Sequence, residues 1–192
     1  TPGANNSVYA AVTYQDGSED TLIGGDFSAV NAIVRNGIAR IDGFGFVDPT
    51  FDPGSGADGF VSSVVLQPDG KILLGGGFTS IDNISRYGIA RLNDDGSLDT
   101  TFDVGAGVSG SVQAIALQPD GKVIIAGDFT SFNNVPRFRI ARLNANGSLD
   151  PGFDAGSGPD DVIYALALQA DGKVIIGGDF GLVNGQYASS IT

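Results

Sequence analysis

The sequence predicts an all-β chain in which a unit of four antiparallel strands is repeated. Three observations carry that prediction. Marker residues return at a constant interval of 51 along the 192 residues. Within each interval, short runs of β-branched and apolar residues alternate with Gly-, Pro- and Asn-containing turn signals. No stretch shows sustained helical spacing.

The period is set by a Gly-Gly-Asp-Phe-like box whose Phe stands at 27, 78, 129 and 180. Arg35, Arg86 and Arg137 keep the same register, as do Arg40, Arg91 and Arg142. So do Phe51, Phe102 and Phe153, and Asp52, Asp103 and Asp154. Several kinds of marker without drift indicate one structural unit repeated. The repeats are assigned to about 7–57, 58–108, 109–159 and 160–192 within a single repeat domain.

In the third copy the first strand is Val112 to Gln118. Pro119-Asp120-Gly121 forms the turn, Pro presetting φ and Gly accepting a positive φ. The second strand runs from Lys122 to Ala126 and is nearly all apolar, as suits a strand covered on both faces. Residues 130–136 read as a variable loop, and Arg137 to Leu143 as the third strand. Asn146-Gly147 is a hairpin signal, and Ser148 to Asp154 reads as a short outer strand. Gly156-Ser-Gly158 leads into the next unit.

A unit of this size with four strands matches a propeller blade. One such sheet cannot bury both faces alone, so neighbouring blades must cover it. The Gly pairs of the box allow close backbone approach where blades crowd. The expected architecture is therefore a β-propeller, or part of one. The phenylalanines at 27, 78, 129 and 180, and at 51, 102 and 153, are expected in the core.

The run from Leu117 through Pro119-Asp-Gly-Lys122 to Thr130, then Arg137, Ile140-Ala-Arg-Leu-Asn144 and Asn146-Gly-Ser-Leu-Asp150, resembles the delta-60 repeat. The resemblance recurs four times and covers nearly the whole chain. It implies a β-propeller module of a bacterial surface or secreted protein, hence an extracellular or cell-surface setting. It brings no set of catalytic residues. The first repeat departs from the pattern: Tyr14-Gln-Asp-Gly-Ser-Glu-Asp-Thr21 replaces the Leu-Gln-Pro-Asp-Gly-Lys hairpin.

Composition narrows the chemistry. Hydrophobic residues make up 42% and charged residues 17%, which excludes the low-hydrophobicity class of disordered chains. Net charge is −12, which repels a nucleic-acid backbone. No apolar run approaches the length of a membrane-inserted helix. Without Cys or His, thiolate nucleophiles, zinc–thiolate sites and Ser-His-Asp or Cys-His machinery are all excluded. The chain is therefore expected to be no enzyme and to need no cofactor. Thr1–Asn6 reads as a connector without a leader pattern, and the fourth repeat breaks off at Ser190-Ile191-Thr192, inside its third strand. An unfinished sheet exposes an edge, so self-association is expected if this is the whole chain.

Several motifs fail on context. Gly54, Gly56 and Gly59, and again Gly105, Gly107 and Gly110, match a dinucleotide string, but each precedes a strand and not a helix. Asn93 to Asp99 looks like a calcium loop, yet its first ligand would be Arg91. Asp16, Glu19 and Asp20 are candidate ligands for a hard cation such as calcium, beside the reading as a solvated acidic turn.

Arg40, Arg91 and Arg142 share a strand face with Ile38, Ile89 and Ile140, and a charge on an apolar face needs a partner. Two carboxylate series are available: Asp52, Asp103 and Asp154, or Asp48, Asp99 and Asp150. One structural bridge per repeat is expected, bidentate where geometry allows. The variable loops at 28–34, 79–85, 130–136 and 181–186 are candidate ligand loops. Asn31, Asn83, Asn133, Asn134 and Asn184 are their hydrogen-bonding candidates, and Tyr87 and Tyr187 their stacking candidates, for a glycan or protein partner. The favoured function is a structural or adhesive module. Ligand binding through these loops is the alternative, and a carboxylate-based glycoside-active enzyme ranks last.

Overall fold

The computed structural model describes residues 3–188. Among them there is no helix, and so none long and apolar enough to cross a membrane. The predicted beginning at Thr1 and Pro2 and the break at Ser190 to Thr192 lie outside the described residues. Two compact units are present, Thr1–Thr100 and Thr101–Thr192.

The first unit holds β1 (Val8–Thr13), β2 (Thr21–Gly25), β3 (Ala29–Val30), β4 (Ile33–Val34) and β5 (Ile38–Ile41), then β6 (Val61–Leu66), β7 (Ile72–Gly76), β8 (Ser80–Ile81), β9 (Ile84–Ser85) and β10 (Ile89–Leu92). Its sheets run β1-β2-β5 and β6-β7-β10, each antiparallel with the apolar second strand in the middle. The second unit holds β11 (Val108–Leu117), β12 (Val123–Phe132), β13 (Val135–Pro136), β14 (Ile140–Leu143), β15 (Ile163–Leu168), β16 (Val174–Gly178), β17 (Leu182–Val183) and β18 (Gln186–Tyr187). There β11, β12 and β14 form one antiparallel sheet, and β15 pairs β16.

The two glycines of the box do different work. The first-to-second strand pairing carries an irregularity in every repeat, as between Val61 and Ser63, with Gly76 opposite Val61. A Cβ on Gly76 would strike the carbonyl of Phe60, and one on Gly127 that of Ser111. That second glycine admits the bulged strand. The first serves repeat packing: a Cβ on Gly24 would lie 2.7 Å from Val64 Cγ2 of the next repeat. Gly127→Ala is expected to lower stability by about 1–3 kcal/mol, the range for overpacking. A urea midpoint equal to wild type would refute that role.

Two expectations are corrected. The outer strand is only a bridge in the first three repeats: Ile41 with Val47, Leu92 with Leu98, and Leu143 with Leu149. Pairing stops because the next residue folds into an Asx turn. Asp48 Oδ1 accepts from Thr50 N at 2.8 Å, and Asp150 Oδ1 from Gly152 N at 2.8 Å. The supposed variable loops are ordered hairpins, β3-β4, β8-β9, the end of β12 with β13, and β17-β18. Their central pairs have positive φ at both residues: Asn31 and Ala32, Asp82 and Asn83, Asn133 and Asn134, Asn184 and Gly185. That is the type I′ geometry matching the twist of the flanking strands.

Leu22, Ile38 and Phe51 of the first repeat pack with Leu74, Phe78, Ile81 and Leu92 of the second. In the second unit Ile124, Ala126 and Ile140 of the third repeat pack with Ile176 and Phe180 of the fourth. Each fully buried Leu, Ile or Phe contributes about 1.5–3 kcal/mol. The core phenylalanines at 27, 51, 78, 102, 129 and 180 are all buried, and Phe153 is half-buried.

Candidate functional site

The charged clusters grow from the third strand of the first three repeats. An arginine on an otherwise buried strand must find a carboxylate there. Arg40 Nε donates to Asp48 Oδ2 at 2.7 Å, Arg91 Nε to Asp99 Oδ2 at 2.8 Å, and Arg142 Nε to Asp150 Oδ2 at 2.7 Å. The bridge is therefore made by the series at 48, 99 and 150. Asp52, Asp103 and Asp154 instead accept from Gly54, Gly105 and Gly156 N at 2.8–3.0 Å and shape the connector.

The bidentate expectation is corrected at Arg40. Its Nη2 donates to Thr50 Oγ1 at 3.1 Å, and its Nη1 to the Asp94 carbonyl of the second repeat at 2.9 Å. Nη1 also lies 3.1 Å from Asp94 Oδ1. The guanidinium centre stands 5.6 Å from the Tyr14 ring centre and 5.3 Å from that of Phe51, and Arg142 stands 5.1 Å from that of Phe153. The fork is thus divided among neighbours and ties two repeats together.

Sequence reasoning missed the second cation. Lys71 Nζ reaches Asp99 Oδ2, and Lys122 Nζ reaches Asp150 Oδ2, both at 2.9 Å. The signal was present in the Pro-Asp-Gly-Lys turn, whose lysines keep the interval of 51. In the first repeat Asp20 stands at the corresponding position. There the Tyr14 hydroxyl lies 3.3 Å from Arg40 Nη1 and donates to Asp94 Oδ1 at 3.0 Å.

These contacts fix protonation. The Asp48 carboxyl feels burial, which raises its pKa, but Thr50 and Arg40 outweigh it and hold it below the usual range. Lys122 and the Gly152 amide, with Arg142, hold Asp150 well below that range. Burial and Asp94 push the Tyr14 hydroxyl up. Carboxylates kept ionised in this way make poor general acids.

Asp58 and Asp160 hold the start of the small hairpins. Asp58 Oδ1 accepts from Thr79 N at 2.7 Å and Ser80 N at 2.9 Å, and Asp160 Oδ1 accepts from Gly181 N and Leu182 N, both at 2.9 Å. Ser109 Oγ does the same in the third repeat, accepting from Ser131 N at 3.0 Å. For Asp58, burial works upward, but hydrogen bonds from Thr79 and Ser80 bring its pKa from 3.8 down to about 2. A depressed folded-state pKa stabilises above the unfolded value, and that stabilisation is lost as pH falls through the folded value. Asp58→Asn is therefore expected to flatten the dependence of stability on pH between about 4 and 2 by up to one proton. Urea titrations with equal slopes for both proteins in that window would exclude this role.

The calcium candidates do not converge. Asp16 Oδ1 accepts from Ser18 N at 2.9 Å, Glu19 sits at φ 62, and Asp20 engages Tyr14 N through its carbonyl at 2.8 Å. Among the described residues no group of three acidic side chains is arranged to hold a metal.

The asparagine candidates stand at the hairpin turns, against the connectors. Asn31 Oδ1 accepts from Gly3 N, Asn133 Oδ1 from Ala106 N at 3.1 Å, and Asn184 Oδ1 from Gly158 N at 3.0 Å. Asn83 Nδ2 donates to Ser55 Oγ at 3.1 Å. Four of the five thus clamp the connectors, three through backbone amides and Asn83 through a serine hydroxyl. Asn134 has only its positive φ to note. Tyr87 is 45% exposed and Tyr187 97% exposed.

An exposed apolar rim was not foreseen. Ile33, Ile84 and Val135, one interval apart, are 44%, 42% and 41% exposed, and Phe138 matches Tyr87 at 45%. Near-equal exposure at equivalent positions makes this a feature of the repeat. The signal lay in apolar residues returning inside a segment read as variable. The first unit also has a polar cleft of about 330 Å³ lined by Asn6, Asp26, Ser28, Asn36 and Asp58.

Repeated antiparallel sheets packed on one another, with charge networks at equivalent positions in three repeats, define a β-propeller repeat protein. The chain belongs to the family described as "Domain of unknown function (DUF5122) beta-propeller", matched at residues 15–51, 67–102, 118–153 and 169–191. No curated protein matches it. Among solved structures it is similar to the WD40 β-propeller domain of Doa1, at 19% identity and a TM-score of 0.63. That likeness covers 90% of this chain and 48% of the other, so the chain spans about half the length of that protein.

Proposed function

We propose that this chain is a non-catalytic, adhesive β-propeller module of a bacterial surface or secreted protein. The observation that carries the reading is the division of labour among its side chains. The Arg–Asp bridges hold the frame at equivalent places in three repeats. The hairpins turn apolar and aromatic groups outward on the same interval. An active site needs one distinct constellation, whereas a rim of equivalent groups suits contact with an extended partner. The resemblance to the delta-60 repeat supports the surface setting.

The partner is a glycan or a protein, met by the aromatic rim. Immobilised protein is expected to bind members of an array of surface glycans and matrix proteins saturably. Tyr87→Ala and Phe138→Ala should each weaken that binding about tenfold, with an unchanged melting temperature. Undiminished binding by both variants would overturn the rim reading, and turnover of a bound glycan would overturn the non-catalytic one.

A further inference from the structure

Arg139 stands where the first and second repeats have Gly37 and Gly88. All three positions have positive φ: 71° at Gly37, 73° at Gly88 and 65° at Arg139. That region suits glycine and is disfavoured for an L side chain. The arginine is nonetheless held there beside carboxylates. Its side chain is only 18% exposed, and its Nε lies 3.8 Å from Asp128 Oδ1. Its Nη1 donates to the Phe129 carbonyl at 3.3 Å. Its charge also reaches Asp160, whose carboxyl the Leu182 and Gly181 amides, with Arg139, hold below the usual range.

The first unit repeats this setting without the arginine. Asp26, Gly37 and Asp58 stand two intervals before Asp128, Arg139 and Asp160. Asp26 and Asp58 line the polar cleft of about 330 Å³, and Phe27, the equivalent of Phe129, lines it with them. A Cβ on Gly37 would lie 3.0 Å from Ala57 Cβ and 3.2 Å from the Gly59 carbonyl. Ala57 and Gly59 are two further walls of the cleft, so a side chain at 37 would enter it. Glycine leaves it open, between walls that are all described residues. Hydrogen bonds from Thr79 and Ser80 keep Asp58 ionised. The exposed Asp26 carboxylate accepts from Asn6 Nδ2 at 3.3 Å and keeps room for further donors. At the equivalent positions of the second series stand Gly77, Gly88 and Ser109, with neither carboxylate and no arginine. The cation thus accompanies the carboxylate pair.

We propose that the cleft between the first two repeats receives the guanidinium of an arginine side chain from a partner protein. Arg139 shows inside the molecule what this pair of carboxylates holds. A guanidinium is planar and permanently charged, with donors in a fixed fork that suits carboxylates. The cleft lies at the lower end of the range for ligand sites, about 300–1,000 Å³, which fits one side chain. The net charge of −12 favours the approach of a basic group. The inference rests on the adhesive reading for the existence of a partner, but neither Tyr87 nor Phe138 lines the cleft.

Titration of the full chain with the peptide acetyl-Gly-Arg-Gly-amide, followed through backbone amide resonances, tests it. The resonances of Asp26, Asn36 and Gly59 are expected to shift saturably with a Kd of about 1 mM. A citrulline peptide, which keeps the shape and loses the charge, should not bind. A lysine peptide should bind at least about fivefold more weakly, lacking the fork. Asp26→Asn should weaken arginine binding about tenfold at an unchanged urea midpoint. Gly37→Arg should abolish it by filling the cleft from within. Tyr87→Ala should leave this titration as it is, so the rim and the cleft can fail separately. An absence of shifts at these residues up to about 10 mM peptide overturns the proposal. So does equal binding of the citrulline or lysine peptide, or undiminished binding by Asp26→Asn.

Discussion

Asp99→Ala is expected to destabilise the protein by about 3–5 kcal/mol, the range for breaking a buried pair by removing one partner. Asp99 and Arg91 have side-chain exposures of only 4% and 9%, with 2.8 Å between Oδ2 and Nε. Lys71 Nζ stands 2.9 Å from the same oxygen. Removing the carboxylate leaves two cations gathered around a lost negative charge. Arg91→Met should cost less, since Lys71 still balances Asp99. The double variant Arg91→Met, Asp99→Ala should recover part of the loss, because the buried guanidinium that needed the carboxylate is gone. A double-mutant cycle by urea unfolding measures the coupling. A loss below about 1 kcal/mol for Asp99→Ala would place this bridge with weak surface pairs.

Phe51→Ala should be comparably severe, at about 3–5 kcal/mol. The ring is fully buried within the cluster joining the first two repeats. It also lies under the Arg40 guanidinium, whose centre is 5.3 Å away. The substitution opens a cavity and removes one wall of the charged network. Val34→Ala, at a residue 69% exposed, should stay within about 0.5 kcal/mol. Equal denaturation midpoints for the two variants would contradict the packing described for the first unit.

Much of the fold was legible in the residues. The interval of 51, the Pro-Asp-Gly and Asn-Gly turns and the buried phenylalanines all follow from local chemistry. A glycine at a tight turn or an apolar run in a central strand declares itself without knowledge of its neighbours. The site was less legible. The small hairpins escaped because their turns at Asn31-Ala32, Asp82-Asn83 and Asn133-Asn134 lack the glycine that makes Asn184-Gly185 recognisable. Each first residue is held in the left-handed region by its side chain, as Asp82 Oδ1 accepting from Ser55 N at 2.9 Å. That contact spans 27 residues of sequence.

The linear pattern established the strands, the repeat and the need of each third-strand arginine for a carboxylate. It could not choose between Asp48 and Asp52, or between Asp99 and Asp103, because both series keep the interval. Tertiary structure made that choice. The backbone of Asp48 and Asp99 pairs with that of Arg40 and Arg91 at 2.9 Å, placing each carboxylate beside its guanidinium. Asp52 and Asp103 lie beyond the Asx turn, where their oxygens meet the connector amides. Periodicity says which residues are equivalent. Which of them meet is decided by the direction the chain takes after each turn, and that direction depends on contacts far apart in sequence.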